Sequence, residues 1–201
     1  GARVSICSHD QTKLETAAHQ LAEETGADVL AAVCDVSKPA DIQAWVNRTV
    51  ERWGVVDALF INAGGPPPAP IKNITDEQWY AAFELTLMSA VRMIRAALPH
   101  MTNGGAILTS TSSSVREPIE KLALSTVMRS GLVGLVKTLA DEVAADGVRV
   151  NNLIPGRIST ERITFLDEAA AKREGIGLAD VRARNLARIP MGRLGEVEEY
   201  G

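Results

Sequence analysis

The 201-residue sequence has few of the features that mark membrane, secreted or nucleic-acid-binding proteins. Its two cysteines, Cys7 and Cys34, do not make a disulfide framework, so a cytoplasmic, reducing location is expected. The longest apolar runs, such as Val29–Cys34, are far shorter than the roughly 18 residues that a membrane-spanning helix needs. The net charge of −4 argues against a nucleic-acid partner. With 46% hydrophobic and 23% charged residues, the composition is that of an ordered globular domain.

Three further features that are rare or missing limit the catalytic chemistry and the ligand sites that the sequence can provide. Tyrosine occurs only twice, at Tyr80 and Tyr200. No glycine-rich turn links a first strand to a first helix, although dinucleotide-binding units carry one within roughly 30 residues. The histidines His19 and His100 have no partner at metal-ligand spacing, so no metal site is expected.

Apolar runs and amphipathic stripes alternate along the chain. Short continuous apolar runs are typical of parallel strands buried on both faces. They occur at Ala2–Ser8, Asp28–Cys34, Asp57–Ile61, Ala106–Thr111 and Val148–Ile154. Helical stripes lie between them, including a helix opened by a Thr75–Gln78 capping box and a long apolar helix over 122–145. This alternation predicts an α/β fold with a doubly wound parallel sheet.

Ligands bind such sheets outside the carboxyl ends of the strands. Small or polar residues follow each predicted strand there. They are Ser8 and His9, Asp35 and Val36, Asn62, Ala63 and Gly64, Ser112, and the segment Pro155, Gly156, Ile158 and Thr160. Structural interpretations stand beside the functional ones, because Asp35 suits an Asx turn before a helix and hydroxyl-rich loops bond their own backbone.

The order and spacing of these segments resemble the short-chain dehydrogenase/reductase family, and within it the 3-oxoacyl-acyl-carrier-protein reductase-like members. The matching segments are Gly1–Arg3, Asp35-Val36, Asp57 through Gly64, Trp79, Pro99–Met101, Ser112, Leu139-Ala140, Val150-Asn151, Pro155–Thr160 and Pro190–Arg193. The resemblance implies a Rossmann-type three-layer fold, an NAD(P) cofactor, hydride transfer between cofactor and a small carbonyl or alcohol, and a homodimer or homotetramer.

The resemblance also sets expectations for domain organisation and cofactor choice. We expect one NAD(P)-binding domain over 1–201 that lacks the family's first βα unit and last strand, with a lid-like helical segment over 157–188. In a dinucleotide-binding fold, the end of the second strand meets the adenosine ribose. An acidic residue there binds the ribose 2′-hydroxyl, and a basic residue accommodates a 2′-phosphate. Ser8 and His9 stand there, with no carboxylate before Asp10, which favours NADP over NAD.

The sequence departs from the family at three of the family's four catalytic positions. The Asn, Ser, Tyr and Lys of the family fall on Thr86, Ser112, Ser125 and Arg129. A serine hydroxyl is a far weaker acid than a phenol unless a base lies beside it. Arg129 keeps the positive charge and can bind ribose hydroxyls, but it cannot shuttle a proton. Arg129 is therefore a candidate for both a catalytic and a cofactor-binding role.

Two functions remain open at this point. One is an oxidoreductase with a non-standard proton donor, for which Glu117 and Glu120 are further candidates and Arg116 a candidate electrophile; a solvated charged loop is the alternative for that segment. The other is a catalytically impaired dinucleotide-binding or oligomer-forming member of the same family. A methyltransferase is a remoter possibility, which the Asn-Ala-Gly and Pro-Gly turns disfavour.

Overall fold

The computed structural model of the chain describes residues 1–200. The strands are β1 (Arg3–Ser8), β2 (Asp28–Val33), β3 (Ala58–Ile61), β4 (Gly105–Ser110) and β5 (Val148–Leu153). The α-helices are α1 (Gln11–Thr25), α2 (Pro39–Trp53), α3 (Asp76–Ala82), α4 (Ser89–Ala97), α5 (Ala123–Val143), α6 (Glu161–Glu174) and α7 (Leu178–Leu186). The strand and helix alternation predicted from the apolar pattern is confirmed.

Every pairing between these strands is parallel, which confirms the predicted α/β class. The pairings form two ladders, β1-β2 and β3-β4-β5, and no hydrogen bonding joins the two ladders within residues 1–200. In the first ladder Ser8 lies opposite Val33, and in the second Ser110 lies opposite Leu153. Parallel register aligns the carboxyl ends of neighbouring strands, so the loops that follow the strands of a ladder share one edge.

One apolar core connects helices α2, α4 and α5 with the strands. Its members include Ile42 on α2, Ile61 on β3, Ile107 on β4 and Leu132 on α5, each no more than 2% exposed. Burying a side chain of this size contributes roughly 1.5–3 kcal/mol. This core therefore holds the strands of the second ladder against the helices.

The predicted long helix before β4 is not uniform. It begins with the Thr75–Gln78 capping box, which is confirmed. Between α3 and α4 the chain forms a π-helical segment, Phe83–Met88, where the Ser89 N–H donates to the Glu84 carbonyl. Such segments are frequent at functional sites and have no periodicity signal of their own. Thr86 lies inside this one.

The chain divides into two compact units, Gly1–Leu153 and the residues from Ile154 onward. All five strands belong to the first unit, whereas α6 and α7 belong to the second. The break between those two helices lies at Gly175, which ends α6 with a φ of 67°. Within residues 1–200, no helix is both long enough and apolar enough to cross a membrane.

Candidate functional site

Arg129 joins helix α5 to the carboxyl ends of two strands. Its Nη1 donates to the carbonyl oxygen of Ser110, the last residue of β4, at 2.9 Å. Its Nη2 donates to the carbonyl oxygen of Ala63, in the loop after β3, at 3.3 Å, and its Nε donates to Ser125 Oγ at 3.3 Å. The structure thus brings together the predicted catalytic residues Ser125 and Arg129 and the predicted cofactor residue Ala63.

The hydroxyls of Ser125 and Ser112 each accept a hydrogen bond from the protein. Ser125, in the first turn of α5, is 6% exposed and accepts from the Arg129 guanidinium. Ser112, two residues beyond the end of β4, accepts from the Ser114 N–H at 3.2 Å. A hydroxyl whose oxygen already accepts a bond keeps its own hydrogen for another acceptor. Both serines can therefore donate to an oxygen of a ligand.

Thr86 is 1% exposed, and its Oγ1 has no hydrogen-bond partner among the described residues. The same holds for Ser114 Oγ, in the turn that follows Ser112. A buried hydroxyl without a partner costs roughly 1–3 kcal/mol, and the few that occur in native proteins call for a specific explanation. The Thr86 and Ser114 hydroxyls can therefore each still form a hydrogen bond inside the protein.

The candidate charged residues of the loop after Ser112 and one of the two tyrosines, Tyr80, lie in exposed places. Arg116, Glu117 and Glu120 are exposed, as the solvated-loop alternative predicts, and Glu120 pairs with Lys121 at 3.0 Å. Tyr80 is 71% exposed on α3. Tyr80 is therefore not placed to supply the phenol that the family pattern would put at position 125.

The end of β1 offers a hydroxyl and an imidazole. Ser8 Oγ accepts from the Asp10 N–H at 3.1 Å, and the Asp10 carboxylate accepts from the Lys13 N–H at 3.0 Å as the N-cap of α1. His9 is exposed between them. The nearest carboxylate is thus engaged with its own helix, while His9 faces solvent.

Asp35, beyond the end of β2, forms the Asx turn that was the structural alternative for it. Its Oδ1 accepts from the Ser37 N–H at 3.0 Å and from the Ser37 hydroxyl at 2.7 Å. These bonds, with Lys38 nearby, hold the pKa of the Asp35 carboxyl below its usual value. Val36 packs against the apolar core. A role for Asp35 and Val36 in cofactor binding stays a prediction.

The loop after β3 has an open surface. Asn62 and Gly64 are exposed, and a Cβ added to Gly64 would meet no atom within 4 Å. Gly64 does not have a positive φ, so neither backbone conformation nor protein packing requires a glycine there. The missing side chain at Gly64 instead leaves room for a flat ligand to approach the backbone closely.

In the second unit, the segment after Pro155-Gly156 is held by backbone bonds. Ile158 forms a parallel bridge with Gly195. The Ser159 N–H donates to the Gly195 carbonyl at 2.8 Å, and the Gly195 N–H donates to the Arg157 carbonyl at 3.0 Å. Thr160 is the N-cap of α6, and its hydroxyl donates to the Ile158 carbonyl at 3.3 Å.

The same unit contains a charged cluster that the sequence reasoning missed. Asp167 on α6 is 4% exposed. Its Oδ1 accepts from Arg157 Nη2 at 2.6 Å and from Asn185 Nδ2 at 2.8 Å. A signal was present, because Asp167 stands at helical spacing from Ile163 and therefore lies on the same helix face as that apolar residue.

Several known proteins are similar to this chain in sequence and structure. A family model described as enoyl-(acyl carrier protein) reductase matches residues 1–201. The short-chain dehydrogenase/reductase aba4 of Botryotinia fuckeliana (strain B05.10) is 32% identical, over 99% of this chain and 77% of that protein. The crystal structure of L-sorbose reductase from Gluconobacter frateurii with NADPH and L-sorbose is 30% identical, with a TM-score of 0.92, over 100% of this chain and 77% of that one.

A third similar protein bears on the departures at the catalytic positions. It is an NADPH-bound short-chain oxidoreductase from Pseudomonas aeruginosa PAO1, described as containing an atypical catalytic center. It is 30% identical to this chain, with a TM-score of 0.84, and the similarity covers 98% of this chain and 76% of that one.

Proposed function

Because the chain belongs to the short-chain dehydrogenase/reductase family, we propose that it is an NAD(P)-dependent oxidoreductase with a non-standard proton donor. It interconverts a carbonyl and an alcohol. The observation that carries this proposal is the set of bonds that Arg129 makes to Ser125 and to the carbonyl oxygens of Ser110 and Ala63. Ser110 ends β4 and stands two residues before Ser112. The similar enzyme with an atypical catalytic center supports the altered donor, and the NADPH in both similar structures supports the cofactor.

The residues at the strand ends fit a nicotinamide dinucleotide. Gly64 leaves open surface for a flat ring. Ser8 and His9 would hold the adenosine ribose, and NADP is favoured because the Asp10 carboxylate caps α1. When bound, the cofactor supplies or accepts the hydride. The proposed cofactor-contacting residues are Ser8, His9, Asp35, Val36, Asn62, Ala63, Gly64, Arg129, Pro155, Gly156, Ile158 and Thr160.

In the reductive direction, negative charge develops on the carbonyl oxygen of the substrate. Ser112 and Ser125 donate hydrogen bonds to that oxygen, because the oxygen atom of each hydroxyl already accepts from a protein N–H. The Arg129 charge behind Ser125 favours the developing alkoxide. Since Arg129 does not deprotonate, Ser125 passes its proton to the alkoxide and takes one from a water molecule, whose hydroxide is released to solvent.

This scheme predicts a slow enzyme. A positioned general acid contributes typically 10²- to 10⁴-fold in rate. A serine without an adjacent base forgoes much of that gain, so turnover rests on orientation and hydrogen bonding by Ser112, Ser125 and Arg129. The substrate class is a small ketone or secondary alcohol, of which a 3-oxoacyl thioester is one form that the family resemblance suggests.

The test is an assay of reduced-cofactor oxidation with NADPH or NADH and a panel containing a 3-oxoacyl thioester, a ketose and a simple ketone. We expect turnover by the unaltered chain and a loss of about 10²-fold in kcat for Ser112→Ala, because one donor to the developing oxyanion is removed. The matched control is Ser130→Ala, an exposed serine on α5. Equal rates for the unaltered chain and Ser112→Ala would refute the proposal.

One observation favours a second function, that of a catalytically impaired dinucleotide-binding member. Arg129 donates to Ser125, Ser110 and Ala63 of the protein itself, so the guanidinium serves as a brace whether or not a substrate binds. In the same assay, this function predicts NADPH binding without turnover. It also predicts activity gained by Ser125→Tyr combined with Arg129→Lys, which recreates the family's acid.

A further inference from the structure

The buried carboxylate of Asp167 has two partners from different parts of the second unit. Arg157 comes from the segment before α6, and Asn185 comes from α7. A carboxylate that is 4% exposed is stable only with such partners, since burying an unpaired charge is costly. Asp167 therefore joins both helices and the preceding segment through one oxygen atom.

The segment Arg157–Thr160 is held from two sides. On one side, Gly195 bonds the Arg157 carbonyl and the Ser159 N–H through its own backbone. The approach is close, because a Cβ added to Gly195 would lie 2.8 Å from Ile158 Cδ1. On the other side, Arg157 Nη2 donates to Asp167 Oδ1. The backbone conformation around Ile158 thus depends on a backbone bridge and on one ion pair.

We propose that Asp167 is a positioning residue for cofactor binding: through Arg157 it holds Arg157–Thr160 in the conformation that presents Ile158 and Thr160 to the dinucleotide. This inference rests on the proposed function, in which those two residues contact the cofactor. Asp167 is on α6 and reaches the segment only through the guanidinium, so it does not act on the reacting atoms itself.

The surroundings of the pair explain why its loss would displace the segment. Arg157, Thr160, Thr164, Asp167 and Asn185 line one depression of about 370 Å³. An arginine without its carboxylate partner would have space to turn into this depression, where its head group gains water. The Gly195 backbone bridge alone would then hold Arg157–Thr160 in its present conformation.

The experiment compares the unaltered chain with Asp167→Asn, which keeps the shape and removes the charge. We expect the KM for NADPH to rise about tenfold while kcat stays within about twofold, because misplaced contact residues weaken binding before chemistry. Backbone amide exchange at Ser159 should become about tenfold faster. Glu168→Gln, which removes an exposed carboxylate from the same helix, is the matched control and should change neither quantity.

A double-mutant cycle identifies the route of the effect. In an Arg157→Met background, Asp167→Asn should raise the KM for NADPH by less than about twofold, because the link is already broken. Arg157→Lys keeps the charge but has a single donor group, so it should also raise the KM for NADPH. It replaces Arg157→Met in the cycle if that variant does not fold.

The outcomes separate this inference from the proposed function. Absence of turnover by the unaltered chain would refute the proposed function, and the dissociation constant for NADPH, measured by fluorescence, then replaces KM in every comparison. Unchanged exchange at Ser159 in Asp167→Asn would refute the link between Asp167 and the segment. Faster exchange with unchanged NADPH affinity would show that the link is structural only, which also overturns the proposal.

Discussion

Arg129 in the first unit and Arg157 in the second each connect a loop to a helix, but their partners differ in kind. Arg129 donates to two backbone carbonyls and a hydroxyl, all neutral. Arg157 donates to Asp167, a carboxylate that is nearly inaccessible to solvent. Water can replace a cation at neutral acceptors near strand ends, whereas a buried carboxylate needs its counter-charge. Under the proposed function, Arg129 serves mainly the chemistry, whereas Arg157 serves mainly the shape of its unit.

The largest expected effect is that of Asp167→Ala on stability. It leaves Arg157 Nη2 and Asn185 Nδ2 without their acceptor, and breaking a buried pair costs about 3–5 kcal/mol. Because the Arg157 side chain is 29% exposed, we expect about 3 kcal/mol, at the low end of that range. Urea unfolding of the variant and of Glu168→Ala, whose effect should stay within about 0.5 kcal/mol, measures the difference.

Arg129→Met should be less costly. The Ser110 and Ala63 carbonyls and the Ser125 hydroxyl lose a donor, but none of them carries a charge, so we expect about 1–2 kcal/mol. Urea unfolding checks this value under the same conditions, with Arg129→Lys as the variant that keeps the cation. A cost equal to that of Asp167→Ala would break the comparison between the two arginines.

The smallest expected effect comes from a third arginine, Arg193, whose partner Glu199 is exposed. Hydrogen bonds from Arg193, together with the Glu196 N–H, lower the pKa of Glu199 from 4.5 to about 2. The pair therefore contributes to folding above about pH 4.5, and the contribution is lost as the pH falls through about 2. Solvent screens an exposed pair, so stability at neutral pH should barely change in Arg193→Met.

The measurement for this pair is a carboxyl titration by NMR. We expect the Glu199 pKa to rise towards 4.5 in Arg193→Met, although the Glu196 N–H keeps part of the shift. A loss of stability at neutral pH comparable to that of Asp167→Ala would contradict the view that burial, rather than the presence of an ion pair, decides which arginine matters.

Local pattern was sufficient for most elements of the fold. Continuous apolar runs predicted the strands, and the Thr75–Gln78 pair predicted a helix start. The π-helical segment around Thr86 was not predicted, because one extra residue in a turn leaves the apolar spacing on either side unchanged. The separation of the strands into two ladders also needed coordinates, since hydrogen-bonded neighbours are not encoded in the runs themselves.

For the candidate site, the sequence by itself determined which residue types follow each strand, and so the absence of a phenol where the family pattern expects one. Residue identity and order settle that question. Only the tertiary structure showed that Arg129 bonds Ser125 together with Ser110 and Ala63, or that Asp167 is buried against Arg157 and Asn185. Ser110 and Ala63 lie far along the chain from Arg129, and Asn185 comes from a different helix than Asp167. Long-range packing, which no local spacing records, brings these partners into contact.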